Sequence, residues 1–239
     1  MADRPYTLLS CGMSIDGYLD STDTTRLRLS NAADFDRVDA ERARCDAILV
    51  GATTVRNDNP RLVVRSAARR AERVSRGLSE SPAKVTLTRR GDLAASAAFF
   101  TTGHSDKIVY CPSSAAEDVR ARLGAVSIVV DTGPADDVDV AGVLEDLSAR
   151  GIDRVMVEGG GTVLTQFLTA DLVDELHLVV APLFVGDSRA PRLVGDGPFP
   201  WNADRRASLA GVRQIGDVVL LRYALSERFC AEHAVGADR

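Results

Sequence analysis

The sequence predicts an α/β fold in which helices cover a mostly parallel sheet with an antiparallel C-terminal edge. Three observations predict it. Short β-branched runs alternate with stretches of helical spacing along most of the 239 residues, as in chains that build parallel sheets. Two apolar runs near the end flank Gly216-Asp217, a typical hairpin turn. The composition, 45% hydrophobic and 26% charged, is that of an ordinary globular protein.

Seven short apolar runs predict the strands of the sheet. In chain order these strands are Tyr6–Met13, Ala47–Val50, Lys84–Thr88, Lys107–Cys111, Val126–Val130, Arg154–Val157 and Glu175–Ala181. Four stretches between them have the apolar spacing of helices. These helices are Ala32–Arg44, Ala115–Leu123, Val140–Arg150 and Thr162–Leu168. Asn31 and Ser114 are the predicted N-caps of the first two helices.

The end of the chain differs from this alternation. Ser208–Ile215 and Val218–Ala224 are expected to form the antiparallel hairpin. We expect one domain over residues 1–226 and a frayed tail over residues 227–239. The polar segment Ala67–Pro82 is expected to be a loop or a short helix inside that domain.

Composition and charge exclude several classes of protein. The net charge of −5 argues against general affinity for nucleic acid, which needs a surplus of Lys and Arg. No apolar run approaches the roughly 20 residues that span a bilayer, and the first residues lack a signal pattern. We therefore expect a cytoplasmic protein that does not contact membranes. The four cysteines are far apart, with no C-x-x-C pair and no histidine cluster, so neither a disulfide framework nor a metal site is indicated.

A glycine turn after Glu158 is the sharpest local signal. The segment Arg154–Leu164 is a strand that continues into three glycines and then a helix. Glycines let the backbone approach an anion, and the N-terminus of the following helix favours negative charge, so the turn suits a phosphate. The alternative is a tight connection without a ligand. Glu158 could accept hydrogen bonds from a heterocycle, or it could be a surface acid near a helix N-terminus.

A second cluster follows the strand that ends at Val50. Thr54 supplies a hydroxyl group, Asp58 a carboxylate and Arg65 a guanidinium that can bind a phosphate in a bidentate way. The wider segment Arg56–Arg76 is rich in arginine and could face an anionic small molecule, although its distal arginines are equally well explained as a solvated face. Asn57–Pro60 has the composition of a simple turn. A third segment, Ser10–Gly17, is a first strand that ends in a turn and says little by itself.

Together and in this order, these segments resemble the reductase family of riboflavin biosynthesis, the RibD C-terminal domain, which has the dihydrofolate-reductase-like fold. Four groups of residues carry the resemblance over nearly the whole chain. They are Met13–Gly17; Thr54-Val55 with Asp58-Asn59-Pro60 and Leu62; Val157–Gly160; and Leu172–Leu176 leading to Ala181-Pro182.

The resemblance implies an NADPH-dependent reduction of the ribosyl group of a 5-amino-6-(5-phosphoribosylamino)pyrimidine to ribityl, by hydride transfer to C1′. It implies cofactor contacts at Gly12, Ser14, Thr54, Asp58, Gly160, Gly161, Thr162 and Val163. It implies substrate contacts at Arg42, Leu62, Arg65 and Glu158. Asp58 is the candidate for protonating or polarising the imine nitrogen, or it only holds a ligand. The family also implies a homodimer, to which the apolar C-terminal hairpin could contribute.

Selectivity for NADPH needs a cation near the ribose 2′-phosphate. Arg89 and Arg90 follow a predicted strand and are candidates for this contact, with a solvated turn as the alternative. The H-x-E and P-C-x-x-C motifs of a zinc deaminase do not occur, which predicts a reductase without that activity. Thr25–Leu29 departs from the family pattern, so a dihydropterin or a specialised-metabolite precursor stays open as the substrate. A non-catalytic nucleotide-binding module is the alternative from another class.

Overall fold

The computed structural model describes residues 4–23 and 25–230. Within them the chain forms nine strands and seven helices. In chain order they are β1 (Tyr6–Ser14), α1 (Ala32–Arg44), β2 (Ala47–Gly51), α2 (Ala52–Asp58), α3 (Ala67–Ser75), β3 (Ala83–Leu87), α4 (Ala98–Thr101), β4 (Lys107–Cys111), α5 (Ser113–Leu123), β5 (Ile128–Asp131), α6 (Val140–Ala149), β6 (Arg154–Gly159), α7 (Gly161–Thr169), β7 (Glu175–Ala181), β8 (Ser208–Ile215) and β9 (Val218–Ala224).

The chain divides into two compact units. Of the described residues, unit 1 comprises Arg4, Pro5 and Asp36–Gly160. Its five strands are all parallel and lie in the order β5-β4-β3-β2-β6. Every residue of β2 is buried, as expected for a parallel strand covered on both faces. Apolar side chains from β2, β4, α2, α4 and α5 form one core cluster in this unit.

Unit 1 also buries a lysine on its sheet. Lys84, in β3, has no solvent exposure. Its Nζ donates hydrogen bonds to the carbonyl oxygens of Phe99 (3.1 Å) and Thr102 (2.6 Å). Burial, followed by the charges of Lys107 and Arg42, lowers the pKa of Lys84 to about 8. The lysine thereby satisfies carbonyl groups at the end of α4, where a helix leaves carbonyls without partners.

Unit 2 comprises the described residues within Tyr6–Phe35 and those from Gly161 to Cys230. Its strands lie in the order β1-β7-β9-β8, with β1 and β7 parallel and the other pairs antiparallel. The β8–β9 hairpin turns at Gly216, whose φ of 63° favours glycine. Leu209 and Val212, on β8, are 57% and 60% exposed.

A buried charged cluster, the Glu175 cluster, stabilises unit 2. It consists of Tyr6, Glu175, His177 and Arg222. The Glu175 carboxylate accepts from Tyr6 Oη (3.1 Å) and Arg222 Nη2 (2.6 Å) and lies 2.7 Å from His177 Nε2. Glu175 and His177 are 1% and 2% exposed. Buried charges are tolerated only when they are paired in this way.

The predicted fold class is confirmed, because the sheet is mostly parallel and its C-terminal strands are antiparallel. All seven predicted strands, the four predicted helices and the hairpin are present, with small differences at their ends. Asn31 acts as the predicted N-cap, since its Oδ1 accepts the amide of Asp34 at 3.0 Å.

One local prediction was wrong, and one alternative is met only in part. Ser114 is not an N-cap, because α5 begins one residue before it and Pro112 occupies the cap position. Proline fixes the φ angle that suits this place, which outweighs the capping preference of serine. The simple turn that the composition of Asn57–Pro60 offered as an alternative is found only in part, because Asn57 and Asp58 belong to α2 and Asn59 and Pro60 follow it.

The structure also describes the polar segment Ala67–Pro82 and part of the expected C-terminal tail. Ala67–Ser75 is a helix whose N-cap, Ser66, accepts the Arg69 amide. Arg228 Nη1 lies 3.2 Å from Asp174 Oδ2, so this part of the expected tail contacts unit 2. The rest of that tail, residues 231–239, lies outside the described residues. Over the described part of the chain, no helix is both long and apolar enough to cross a membrane.

Candidate functional site

The turn after Glu158 ends β6 and packs against α2. Gly159 has a φ of 122°, which a residue with a side chain rarely adopts. The bond between Gly159 and Gly160 is cis. A Cβ on Gly160 would lie 3.2 Å from Thr54 Oγ1. Unit 1 therefore brings together the glycine turn and the Thr54 hydroxyl, which the sequence separates by more than a hundred residues.

Arg42 and Glu158 form a bidentate ion pair in unit 1. Arg42, near the end of α1, places Nε 2.6 Å from Glu158 Oε1 and Nη2 2.7 Å from Oε2. The two side chains are only 11% and 15% exposed. Burial disfavours the charged guanidinium, but the Glu158 carboxylate outweighs it and raises the pKa of Arg42. Each Glu158 oxygen keeps a second acceptor position, so the carboxylate can also bind N–H groups of a ligand.

The segment that follows α2 has an unusual backbone. Asn59 and Leu62 have φ angles of 43° and 46°, in the left-handed region. Asn59 Oδ1 accepts the amide of Ala98 at 2.7 Å. Leu62 is 2% exposed and belongs to the core cluster of unit 1. A left-handed leucine costs free energy, so burial of its side chain holds the segment between Asp58 and Arg65 in this shape.

Three arginines of the basic segment bind acceptor groups of the protein itself. Arg69 bonds Asp36 and Asp39. Arg70 donates to backbone carbonyls of the preceding loop, and Arg73 is 3% exposed and donates to three carbonyl groups. These three arginines stabilise the protein itself. Arg65 occupies an exposed position directly before Ser66, the N-cap of α3.

Arg89 and Arg90 lie in the turn after β3, and both are exposed. Arg89 Nε is 2.8 Å from Asp137 Oδ1, with the two side chains 66% and 58% exposed. An exposed pair of this kind is worth about 0–1 kcal/mol. The turn is shaped by Gly91, whose φ is 63° and whose amide donates to Thr88 Oγ1.

The other predicted cofactor residues lie in unit 2. Ser14 has no solvent exposure, and its hydroxyl donates to Asp16 Oδ1 at 2.6 Å and accepts the Tyr18 amide. Hydrogen bonds, that of Ser14 foremost, lower the pKa of Asp16 to about 2. Asp16 also accepts the amides of Val185 and Gly186. The Ser14 hydroxyl thus shapes the loop at the end of β1.

Gly12 and the start of α7 complete this group. A Cβ on Gly12 would lie 3.5 Å from Leu29 Cβ, an ordinary contact. A Cβ on Gly161 would lie 2.6 Å from the carbonyl oxygen of Arg192, so no side chain fits there. Thr162 is exposed and Val163 is buried. The first turn of a helix has amides without helical partners, which suits a phosphate group.

Sequence reasoning missed one buried carboxylate beside the candidate site. Asp39, in α1, is 3% exposed and bonds the backbone at Arg65 and Ser66. The site roles of the predicted residues stay predictions, although unit 1 brings Arg42 to Glu158 and Gly160 to Thr54. In the described part of the chain, no group of three or more His, Cys, Asp or Glu residues could hold a metal ion.

Comparison with known proteins identifies the family. The model of the RibD C-terminal domain matches residues 5–221. A 2,5-diamino-6-ribosylamino-4(3H)-pyrimidinone 5′-phosphate reductase of Archaeoglobus fulgidus is 30% identical, with 95% of this chain and 99% of that protein covered. A protein of the same name from Methanothermobacter thermautotrophicus is 32% identical, with 97% and 99% covered.

Solved structures agree with this family. Acinetobacter baumannii RibD has a TM-score of 0.73 and 26% identity, and the match covers 93% of this chain and 58% of the RibD chain. A pyrimidine reductase-like protein of Corynebacterium diphtheriae shares the fold with a TM-score of 0.75 at 22% identity, over 93% of this chain and 92% of that one. The predicted family is confirmed, and so is the α/β fold with a mostly parallel sheet and antiparallel C-terminal strands. The chain belongs to the RibD C-terminal domain family, whose members are reductases that generally use a nicotinamide cofactor.

Proposed function

We propose that this protein catalyses the NADPH-dependent reduction of the ribosyl group of a phosphoribosylaminopyrimidine to ribityl in riboflavin biosynthesis. The names of its relatives support the reaction, and they favour the 2,5-diamino pyrimidinone over its deaminated form as substrate. The observation that carries the proposal is the nearly buried Arg42–Glu158 pair, which holds a carboxylate ready for a heterocycle.

Glu158 would recognise the polar edge of the pyrimidine. The bidentate bonds from Arg42 fix its orientation, and the remaining acceptor positions suit ring N–H and amino groups. Arg65 would bind the 5′-phosphate, because a guanidinium matches phosphate geometry. A ligand that carries both a polar ring and a phosphate would use both residues.

The glycine turn and its neighbours fit a nicotinamide dinucleotide. A Cβ on Gly159 would have no atom within 4 Å, so the backbone of the turn is open to close approach of an anionic ligand. The amides at the start of α7, from Gly161 to Val163, would receive phosphate oxygens. NADPH, when bound, would supply the hydride.

Two further roles belong to the chain's own side chains. Asp58 would deliver or orient the proton that the imine nitrogen gains as C1′ gains the hydride, so that the C=N bond becomes an amine. Arg89 and Arg90 would bind the 2′-phosphate of NADPH. The exposed Arg89–Asp137 pair is weak enough for a phosphate to replace Asp137.

Turnover tests the proposal directly. The purified protein, saturated with NADPH, is mixed with the diamino or the deaminated pyrimidine phosphate, and NADPH loss and the ribityl product are measured. We expect both signals with at least one of the two compounds. No turnover with either compound, or turnover only with a dihydropterin, would overturn the proposed substrate.

Glu158→Gln tests the role of the carboxylate. A hydrogen bond to a charged group is worth about 1.5–3 kcal/mol, which corresponds to a loss of about 10–100-fold in kcat/KM for the pyrimidine. The KM for NADPH should not change. Glu145→Gln, at an exposed position of α6, is the matched control. Equal effects of the two substitutions would contradict a role for Glu158 in substrate binding.

Asp58→Asn separates catalysis from binding. If Asp58 delivers the proton, kcat falls by about 100-fold or more, while the dissociation constant for NADPH stays within about threefold. An unchanged kcat with weaker NADPH binding would assign Asp58 to the cofactor alone. Unchanged values of both would remove it from the site.

We further propose that residues 1–226 act as one reductase domain, and that the chain works as a cytoplasmic homodimer. The apolar side chains of Leu209 and Val212 support the dimer, because both are exposed on the terminal strand of their sheet. Sedimentation should give the mass of two chains, and Val212→Asp should give one. A monomeric wild-type protein at working concentration would refute the dimer.

A further inference from the structure

Asp39 is a buried carboxylate between α1 and the basic segment of unit 1. It is 3% exposed and lies one turn before Arg42 on the same helix. One oxygen accepts the backbone amide of Arg65. The other accepts the amide of Ser66 at 3.1 Å and a guanidinium N–H of Arg69 at 3.0 Å. Burial opposes ionisation of Asp39, but these hydrogen bonds outweigh it and lower its pKa.

These contacts decide how a phosphate can be bound near α3. The amides at the start of a helix are ordinary anion donors. Here the amides of Arg65 and Ser66 already bind Asp39, and the Ser66 side chain accepts the Arg69 amide. The amides of Arg65 and Ser66 are therefore not available to an anionic ligand in this region.

The same helix fixes the neighbouring backbone. Arg42 Nη1 lies 3.4 Å from the carbonyl oxygen of Val63 while its other nitrogens bind Glu158. Asp39 holds the next residues through the amides of Arg65 and Ser66. Helix α1 thus fixes the backbone position from which the Arg65 side chain extends, relative to the Glu158 carboxylate.

We propose that Asp39 is a positioning residue that sets the Arg65 guanidinium for the 5′-phosphate of the substrate. The inference rests on the proposed function, because it deepens the role of Arg65 at that site. Asp39 does not touch the ligand. Its effect passes through the backbone of Arg65, so its loss should weaken phosphate recognition and leave hydride transfer intact.

Asp39→Asn is the test, and Asp36→Asn is the matched control. Asn keeps one acceptor oxygen but turns an N–H group toward a backbone amide, which cannot bond it. Asp36 lies on the same helix and bonds the same Arg69, but its side chain is 68% exposed. Calorimetry measures the binding of ribose 5-phosphate and of ribose to each protein.

We expect Asp39→Asn to weaken binding of ribose 5-phosphate about tenfold and Asp36→Asn less than about twofold. Ribose binding should not distinguish the proteins. In turnover, Asp39→Asn should raise the KM of the phosphorylated pyrimidine about tenfold, with kcat within about threefold. Adding Asp39→Asn to Arg65→Met should cause no further loss, because the positioned group is already absent.

Several outcomes would overturn the inference. Equal effects of Asp39→Asn and Asp36→Asn, equal losses for ribose and its phosphate, or a fall in kcat alone would each show a general structural role. If Asp39→Asn does not fold, Asp39→Glu keeps the charge with a displaced carboxylate and should show the same phosphate-specific loss, smaller in size. Absent turnover with intact, Asp39-dependent binding of ribose 5-phosphate would refute the proposed function and keep this inference. Turnover in which Asp39→Asn leaves the KM of the phosphorylated pyrimidine unchanged would support the proposed function and refute this inference.

Discussion

Removing Arg42 should destabilise the protein by leaving Glu158 nearly buried and without its guanidinium. Arg42→Met keeps the length and the apolar stem of the side chain and removes two charge-assisted hydrogen bonds of 2.6 and 2.7 Å. The side chains are 11% and 15% exposed, so solvent can replace only part of the lost interaction.

The expected size follows from this burial. Breaking a fully buried ion pair by removing one partner costs about 3–5 kcal/mol, and the remaining exposure places this pair at the lower end, about 3 kcal/mol. With a urea m-value of about 3 kcal/mol per M, the midpoint of unfolding falls by about 1 M. Glu158→Gln should cost about 2 kcal/mol, because Gln keeps one acceptor oxygen.

A double-mutant cycle measures the interaction itself. Arg42→Met, Glu158→Gln and the double variant are unfolded in urea and followed by circular dichroism. The double variant should be less destabilised than the sum of the single variants, by about 1.5–3 kcal/mol. A coupling below about 0.5 kcal/mol would refute the account, because the pair would then contribute no more than an exposed surface pair.

Three further predictions concern stability. Burial opposes ionisation of Glu175, but its partners His177 and Arg222 outweigh it and lower the pKa of Glu175 from 4.5 to about 2. This contributes about 3 kcal/mol of stability above pH 4.5, which is lost as the pH falls toward 2. Glu175→Gln should remove this acid dependence, and a variant whose urea midpoint keeps the wild-type pH profile would contradict the prediction. Burial lowers the pKa of Lys84 from 10.5 to about 8. Between pH 8 and 10.5 the unfolded chain therefore binds more protons than the folded protein, so the free energy of unfolding should rise with pH. Lys84→Met should abolish this rise, and a variant that keeps the rise would assign it to other groups. Gly91→Ala places a Cβ against the Val119 side chain at a φ of 63° and should cost about 2–4 kcal/mol. Gly77→Ala, at a φ of 78° with open space around it, should cost about 1–2 kcal/mol. Equal losses of melting temperature in the two variants would refute the steric argument.

The fold was predictable because the spacing of apolar residues along the sequence indicates which side chains are buried. The strands Lys107–Cys111 and Glu175–Ala181, the helix Ala32–Arg44 and both hairpin strands have the predicted bounds. The errors occur where short-range composition competes with context. Asn57-Asp58 has turn-forming residues, yet they end a seven-residue helix that packs on the core through neighbouring apolar residues.

The candidate site was predictable only in part. Ordered motifs indicated Thr54, Gly160 and Glu158, and the structure places the first two in close approach. The sequence did not indicate Asp39, because this residue accepts from a backbone amide 26 residues away. The side-chain type of a residue does not show where its backbone amide donates. Arg42 was indicated as a ligand contact, but its partnership with a glutamate 116 residues away required the fold.

The arginine-rich segment shows why charge content alone does not locate a ligand. Asp36, Asp39 and backbone carbonyl groups bind Arg69 and Arg73 within unit 1. An arginine that stabilises the protein in this way would have to break those bonds before it could bind a phosphate. The carboxylate of Asp39 binds the guanidinium of Arg69, and it also fixes the backbone at Arg65. If the Arg65 guanidinium binds the phosphate, Arg65→Met should abolish the preference for ribose 5-phosphate over ribose. Arg69→Met should lower stability and keep a measurable preference.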